Sequence, residues 1–394
     1  MPDITSQLEW MKPKPLSPSA SAALDLIRAA AAWAVMWSHL RTMFFADYQH
    51  ATHPGAPLKI IYFLTGFGHE AVIVFFVLSG FLVSSSIFRN LAVGKWSWVE
   101  YAIHRAARLY VVLIPGLLLG LLWDLLGSKW PAATGLYSQE LINLGFWIPQ
   151  HNLTPGIFLG NLLFLQTIVC PTFGSNGPLW SLSNEFWYYV LFPISLFAGI
   201  SWFRRSLRWA IPLSAIAVFL ASFLGLVKLA GFVVWVAGSA LVLVYSRFTL
   251  RSKGVAILAA IATAVLFFGC SAWLRTGDLG PLNPDLILGT TFTLFLFSVL
   301  QMKFGSQSNW SARLSHSWAG FSYSLYVLHF PFLLCLKAFI APSQRWDPDW
   351  VHLFYGVILG TVTLLYSWAV SLVTEDKTNV VRGWLRGAIQ KVSG

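Results

Sequence analysis

Charge is what this chain has least of. Only 10% of its 394 residues are Asp, Glu, Lys or Arg, where an ordinary soluble domain carries about 25%. So little charge cannot cover a soluble globule, which would be left with large apolar patches and would aggregate. Cysteine is scarce too. Cys170, Cys270 and Cys335 are odd in number and far apart, so they form neither a disulfide framework nor a metal-ligand cluster, and no metal is expected; they read as small apolar filler. Residues 1–20 are polar and Pro-rich and show no signal-peptide pattern, so the first apolar run is expected to be retained as a membrane helix. There is no internal repeat, heptad run or low-complexity tract, and no hydrophilic joint holds a soluble domain. What is abundant is apolar: 57% hydrophobic residues, 16% aromatic, 20 Trp, 31 Phe and a mean hydropathy of +0.66. The bilayer is the expected solvent. A net charge of +11 in one basic stripe would point to nucleic acid; here the cations are scattered between apolar runs, so no nucleic-acid partner is expected and the excess reports topology.

A membrane-spanning helix needs about 20 mostly apolar residues. Ten segments qualify or nearly so: about 22–45, 70–88, 107–127, 185–201, 209–227, 229–246, 254–274, 285–302, 318–339 and 351–373. With the N-terminus inside, eighteen of the 26 Lys and Arg fall on inner joints, seven on outer joints, and Arg28 lies within the first helix. By the positive-inside rule that asymmetry puts both termini in the cytoplasm. The stretch 128–184 is long and nearly uncharged, and its apolar run from Gly156 to Val169 is too short to span. A single crossing there would move every later basic joint outside, so it must cross zero or two times. It reads as a re-entrant or interfacial segment packed against protein. The expected fold is therefore an all-α polytopic membrane protein of about ten transmembrane helices: a polar tail over 1–20, a membrane domain over 21–376 and a cytoplasmic tail over 377–394.

Ionisable groups inside membrane segments are costly and mark functional candidates. The first helix holds two, Arg28 and His39. Eleven residues apart, they differ by about 20° in azimuth and about 16 Å along the axis, so they share one face at two depths. Arg28 lies toward the cytoplasm and His39 toward the outer side. The same pattern is open to a second reading, a snorkelling Arg28 and an interfacial His39. Ser183 and Glu185 stand near the first turn of an apolar helix that follows the Gly/Pro/Ser-rich approach 173–178, where capping is the competing explanation. Arg105 and Arg108 are three apart on one face at the cytoplasmic boundary: a topological anchor, or a clamp for a phosphorylated ligand. Tyr323, Tyr326 and His329 interrupt another apolar helix, with Tyr326 and His329 on one face, as compatible with a buried structural hydrogen bond as with a site.

From about residue 20 to 376 the sequence resembles the integral-membrane acyltransferases called acyltransferase family 3. Five motifs carry the likeness, in order. The first helix has Leu24, Asp25, Arg28 and, after ten spacers, His39. Next come Phe75-Phe76-Val77-Leu78-Ser79-Gly80-Phe81, then Arg105, Arg108, Leu109 and Tyr110. Trp180 to Ser183 with Glu185, and Ser322 to Tyr326 with His329, complete the set. The chain departs from the family at His104-Arg105, at Glu185-Phe186-Trp187 and at an ending reduced to Val373, Thr374 and Glu375. The resemblance implies a bacterial inner-membrane enzyme. It would move an acyl group, most often acetyl, from cytoplasmic acyl-CoA to a hydroxyl of a carbohydrate or glycolipid at the outer side. No permanently bound cofactor is implied; acyl-CoA is the donor substrate. His39 suits a general base because its ordinary pKa lies near neutrality, and Glu185 would orient it. Arg28, Arg105 and Arg108 would meet the CoA phosphates, with Ser79, Ser183, Tyr323, Tyr326 and His329 in support. The rival class is a transporter or flippase of a lipid-linked sugar.

Overall fold

The computed structural model describes residues 8–138, 152–275, 282–302, 309–342 and 344–393. The expectations for 1–7 of the polar tail, for 139–151 of the returning stretch and for Lys303 lie outside them. Among the described residues no β-strand forms, as expected where hydrocarbon leaves the backbone no partner but itself. The helices of eight residues or more are α1 (Pro18–Phe44), α2 (Ala56–Leu64), α3 (Gly68–Ala92), α4 (Trp98–Ser128), α5 (Pro155–Leu162), α6 (Leu179–Phe203), α7 (Leu207–Arg247), α8 (Lys253–Leu274), α9 (Pro284–Leu300), α10 (Asn309–Gly320), α11 (Ser322–Ile340), α12 (Trp350–Ser371) and α13 (Thr378–Ser393). Several start at side-chain caps supplied by the joints. Thr154, Ser252, Asn283 and Asp349 each accept a hydrogen bond from the first turn of the helix that follows, and Pro155 and Pro284 stand at first helical positions.

Among the described residues eight helical stretches are long and apolar enough to cross a membrane, two fewer than the ten read from the sequence. The difference lies in two places. Helix α9 has 17 residues and rises about 25 Å, a little short of a hydrocarbon core of about 30 Å. Helix α7 has 41 residues, about 60 Å if straight, but its backbone leaves the helical region at Gly225 (φ 74°, ψ 166°), a conformation open to glycine at little cost. Partners on α6 show that the chain reverses there. Before the break, Ser214 accepts from Trp202 Nε1 and Phe223 meets Trp187, so residues 207–224 run antiparallel to α6. After it, the Lys228 carbonyl accepts from Tyr188 Oη and Trp235 meets Phe192, so residues 226–247 run parallel to α6. These legs coincide with the expected segments 209–227 and 229–246.

The chain divides into two compact units. One comprises Met1–Arg28, Val72–Trp98 and Asn184–His316. Within it α3, α6, the second leg of α7 and α9 point the same way, as the pairs Phe76–Tyr188 with Phe88–Phe192, Phe81–Tyr245 with the Gly80–Trp235 approach, and Gly289–Val234 with the Gln301 Nε2 bond to the Phe248 carbonyl show. Helices α3 and α7 touch backbone to backbone. A Cβ on Gly80 would run into the Trp235 carbonyl, and one on Gly238 into the Val77 carbonyl, the small-residue packing by which membrane helices approach closely. The other unit comprises Ala29–Ala71, Val99–Ser183 and Ser317–Gly394. In it α1, α4 and α11 run parallel: Trp33 stacks on Trp318 and His39 meets His329, while Leu109, Trp123 and Trp130 meet Tyr323, Phe332 and Phe339. Helix α12 runs antiparallel to α1, with Gly356 against Phe45 and Gly360 against Trp37.

Candidate active site

The two histidines singled out by the sequence meet. His39 on α1 and His329 on α11 are joined by a 2.8 Å contact from Nδ1 to Nε2. Their ring planes lie 11° apart and their centroids 5.1 Å apart. With the nitrogens at hydrogen-bond distance, this is an edge-to-edge N–H···N bond between nearly coplanar rings. Phe330 stands edge-on to His39 at 5.1 Å. His329 is fully buried, and its Nδ1 lies 2.8 Å from the Leu325 carbonyl. His39 is half-buried. The sequence suggests Glu185 for orienting His39; the hydrogen bond at His39 Nδ1 adds His329 as a partner.

Opposite α11, the stretch after Asn152 goes in along α4 and comes back. The Leu162 carbonyl accepts from Tyr110 Oη, while Ser175 donates to Asp124 through its backbone N–H at 2.8 Å and its hydroxyl at 2.6 Å. Tyr110 and Asp124 stand fourteen residues apart on α4, about 21 Å, and the Gly174 N–H closes on the Asn152 carbonyl. Helix α5, with eight residues, is about 12 Å long and cannot span. Asn161, fully buried, ties the two arms: its amide donates to the Ile157 and Pro171 carbonyls and its oxygen accepts from the Phe173 N–H. The tip holds Phe164 and Thr167 at positive φ (56° and 61°), a left-handed conformation that costs non-glycine residues energy and concentrates at functional sites.

That returning segment is bonded to α11 one turn from His329. Pro331 has no N–H for the Val327 carbonyl four residues earlier, and Asn176 Nδ2 donates to it instead at 2.9 Å. Tyr326 Oη donates to the Pro178 carbonyl at 3.0 Å and lies 2.5 Å from Ser181 Oγ. Ser183 Oγ donates to the Phe164 carbonyl. Tyr326 and Ser183, named as supporting residues, thus hold the returning segment in place. Asp124, Ser175, Asn161 and Asn176 do the same work and were not named from the sequence. Asp124 was there to be found, since it is the lone carboxylate in the apolar run that α4 contributes.

Glu185, half-buried on α6, accepts hydrogen bonds from Ser79 Oγ at 2.8 Å and from Tyr189 Oη; Trp235 Nε1 in turn donates to Ser79 Oγ at 3.1 Å. The Gly80–Trp235 backbone approach explains why a side chain as small as Ser79 reaches both partners. Of the three cations assigned to a donor, Arg28 is 3.6 Å from Asp25, and the Arg105 guanidinium lies over the Tyr101 ring. Arg108 is engaged more closely. Its Nη1 is 2.8 Å from Glu375, whose side chain is 4% exposed, and its guanidinium carbon lies over the Tyr323 ring, 5.2 Å from the centroid. Tyr323 itself donates to the Leu109 carbonyl. The second oxygen of Glu375 accepts from the backbone N–H and hydroxyl of Ser324, in the first turn of α11, where a carboxylate is favoured by the helix dipole. The shortened ending Val373-Thr374-Glu375 therefore retains a carboxylate with a defined job.

Residues 21–372 match the family model described as an acyltransferase domain, and the chain belongs to that family, acyltransferase family 3. A relative is the acyltransferase MdmB of Streptomyces mycarofaciens, 30% identical over 217 residues, which are 51% of this chain and 46% of that protein. The match thus spans about half of the relative's length. No solved structure matched.

Proposed function

We propose that this protein is a membrane O-acyltransferase that moves an acyl group, acetyl in the simplest case, from acyl-CoA on the cytoplasmic side to a hydroxyl of a carbohydrate or glycolipid at the outer side. The observation that carries the reading is the His39–His329 pair in a chain of this family: a half-buried imidazole fixed by a second one on a neighbouring membrane helix. Ten crossings with both termini in the cytoplasm are supported by the cation asymmetry and by the reversal at Gly225. In that topology His39 sits toward the outer end of α1 and Arg28 and Arg105 toward the cytoplasmic side, where they would meet CoA phosphates. Arg108, joined to Glu375, anchors α11 and contributes positive charge to the same region.

The chemistry balances with one base. His39 takes the proton of the acceptor hydroxyl while its oxygen attacks the thioester carbon. The C–O bond forms, the C–S bond breaks, and the departing thiolate recovers the proton from the imidazolium, leaving an ester and CoA. Glu185, Ser79 and Tyr189 supply a polar cluster on α3 and α6 suited to hydroxyl-rich ligands. Incubating purified protein in detergent with radiolabelled acetyl-CoA tests the reading. Label should leave CoA with the wild type, and His39→Ala should stop it by a factor on the order of 10² to 10⁴ without changing the thermal melt. Wild-type turnover in a folded His39→Ala protein would remove His39 from the mechanism.

A further inference from the structure

Which nitrogen of an imidazole can act as a base depends on which one already holds the proton. We infer that His329 is a positioning residue that locks His39 in its Nδ1–H form and thereby makes Nε2 of His39 the basic atom; the inference rests on the acyl-transfer reading above.

The argument starts from an atom that has no proton to give. The Leu325 carbonyl can only accept, so His329 Nδ1, 2.8 Å away, carries a hydrogen and donates it. In a neutral His329 the other nitrogen, Nε2, is then bare and can only accept. The atom facing it at 2.8 Å is His39 Nδ1, which must be the donor. A neutral His39 that donates from Nδ1 has its lone pair on Nε2. One backbone carbonyl thus sets the proton positions on two rings. His329 is suited to this because it is fully buried on α11, where it cannot rotate into water.

The arrangement has a consequence for the reaction. When Nε2 of His39 takes the hydroxyl proton, the His39 Nδ1–H bond to His329 persists and becomes charge-assisted, the stronger kind. His329 gains and loses no proton, and the charge returns to neutral when the thiolate takes the proton back. The role resembles that of the carboxylate in a Ser-His-Asp triad, performed by a neutral ring.

Nitrogen NMR of protein labelled with ¹⁵N-histidine reads this directly, because protonated and bare ring nitrogens resonate far apart. The chain has nine histidines, and the signals of the pair are identified by their loss in His39→Gln and His329→Gln. In the wild type His39 should show a protonated Nδ1 and a bare Nε2. In His329→Gln the side-chain oxygen can replace the lost acceptor, so the same tautomer should persist and transfer should fall less than about 10-fold. In His329→Phe the acceptor is gone, so His39 should move to the Nε2–H form and transfer should fall on the order of 10²-fold or more. A wild-type His39 protonated at Nε2 overturns the inference, whether or not the Phe variant folds. So does a folded His329→Phe protein with unchanged tautomer and rate, an outcome that leaves the acyl-transfer reading standing. If wild-type protein moves no acyl group from CoA, that reading fails, and the tautomer measurement still decides the role of His329.

Discussion

His39 and His329 are separated by 290 positions in the chain and by one hydrogen bond in space. Each was conspicuous in the sequence as an ionisable group in an apolar helix; that they are partners was not, because nothing in helical spacing relates two different helices. The same test picks out Asp124 and Lys337, both buried, and the structure gives both to architecture. Asp124 holds Ser175, and Lys337 Nζ donates to the Ala341 and Gln344 carbonyls past the end of its own helix. Arg108 divides from Arg105 for a similar reason. If Arg108 is chiefly the counter-ion of the buried Glu375, then Glu375→Gln and Arg108→Met should each lower the melting temperature, and the double variant should lose less than the sum. Strict additivity in that cycle would show that the two groups do not act as a pair. Arg105→Lys, by contrast, keeps the charge and loses the planar fork. It should leave the melt in place and weaken CoA binding, measured by calorimetry, with about 1.5–3 kcal/mol at stake per charged hydrogen bond. Unchanged CoA affinity would make Arg105 a topological anchor only.

Among the helices, hydropathy marked a segment within each of the eight described stretches long and apolar enough to cross a membrane, since burying a backbone in hydrocarbon leaves little choice of structure. It could not show which helices touch. The contact between α3 and α7 depends on Gly80 and Gly238, which look in the sequence like two of thirty glycines. Gly80→Ala or Gly238→Ala should each cost about 1–3 kcal/mol, read as a lower thermal melt, because the new methyl meets a carbonyl of the facing helix rather than a yielding side chain. A melt indistinguishable from wild type for both would contradict that packing. The segment over 128–184 was legible as something that could not cross once. What it does instead, descending to Leu162 and returning to Ser175 against α4, depends on Asn161, Asp124 and Asn176, whose partners are set by tertiary structure. Asn176→Leu should strip the Val327 carbonyl beside Pro331 of its donor, costing about 1–3 kcal/mol for a buried acceptor left unsatisfied. It should also slow acyl transfer, because Val327 lies two residues from His329.

At the scale of the whole chain, the charge distribution and the helix directions bear on topology by independent routes. The alternation of basic joints requires an even number of crossings between α4 and α6 if both termini are inside. The parallel course of α3 and α6 within their unit requires an odd number of crossings between them, which α4 alone would supply. Cysteines introduced at Arg251 and Ser138 should therefore react with impermeant reagent from opposite sides of the membrane; reaction of both from one side would contradict this topology. The central claim is that His39, as general base, enables an acyl group to pass from a donor on the cytoplasmic side to an acceptor on the other. Its most direct test is transport of label in inside-out vesicles from cells expressing the protein, given radiolabelled acetyl-CoA from the outside. The account predicts label accumulating in lumenal hydroxyl-bearing material with the wild type and none above background with His39→Ala. Label that remains on CoA in both, or that reaches only acceptors on the donor's own side, would contradict it.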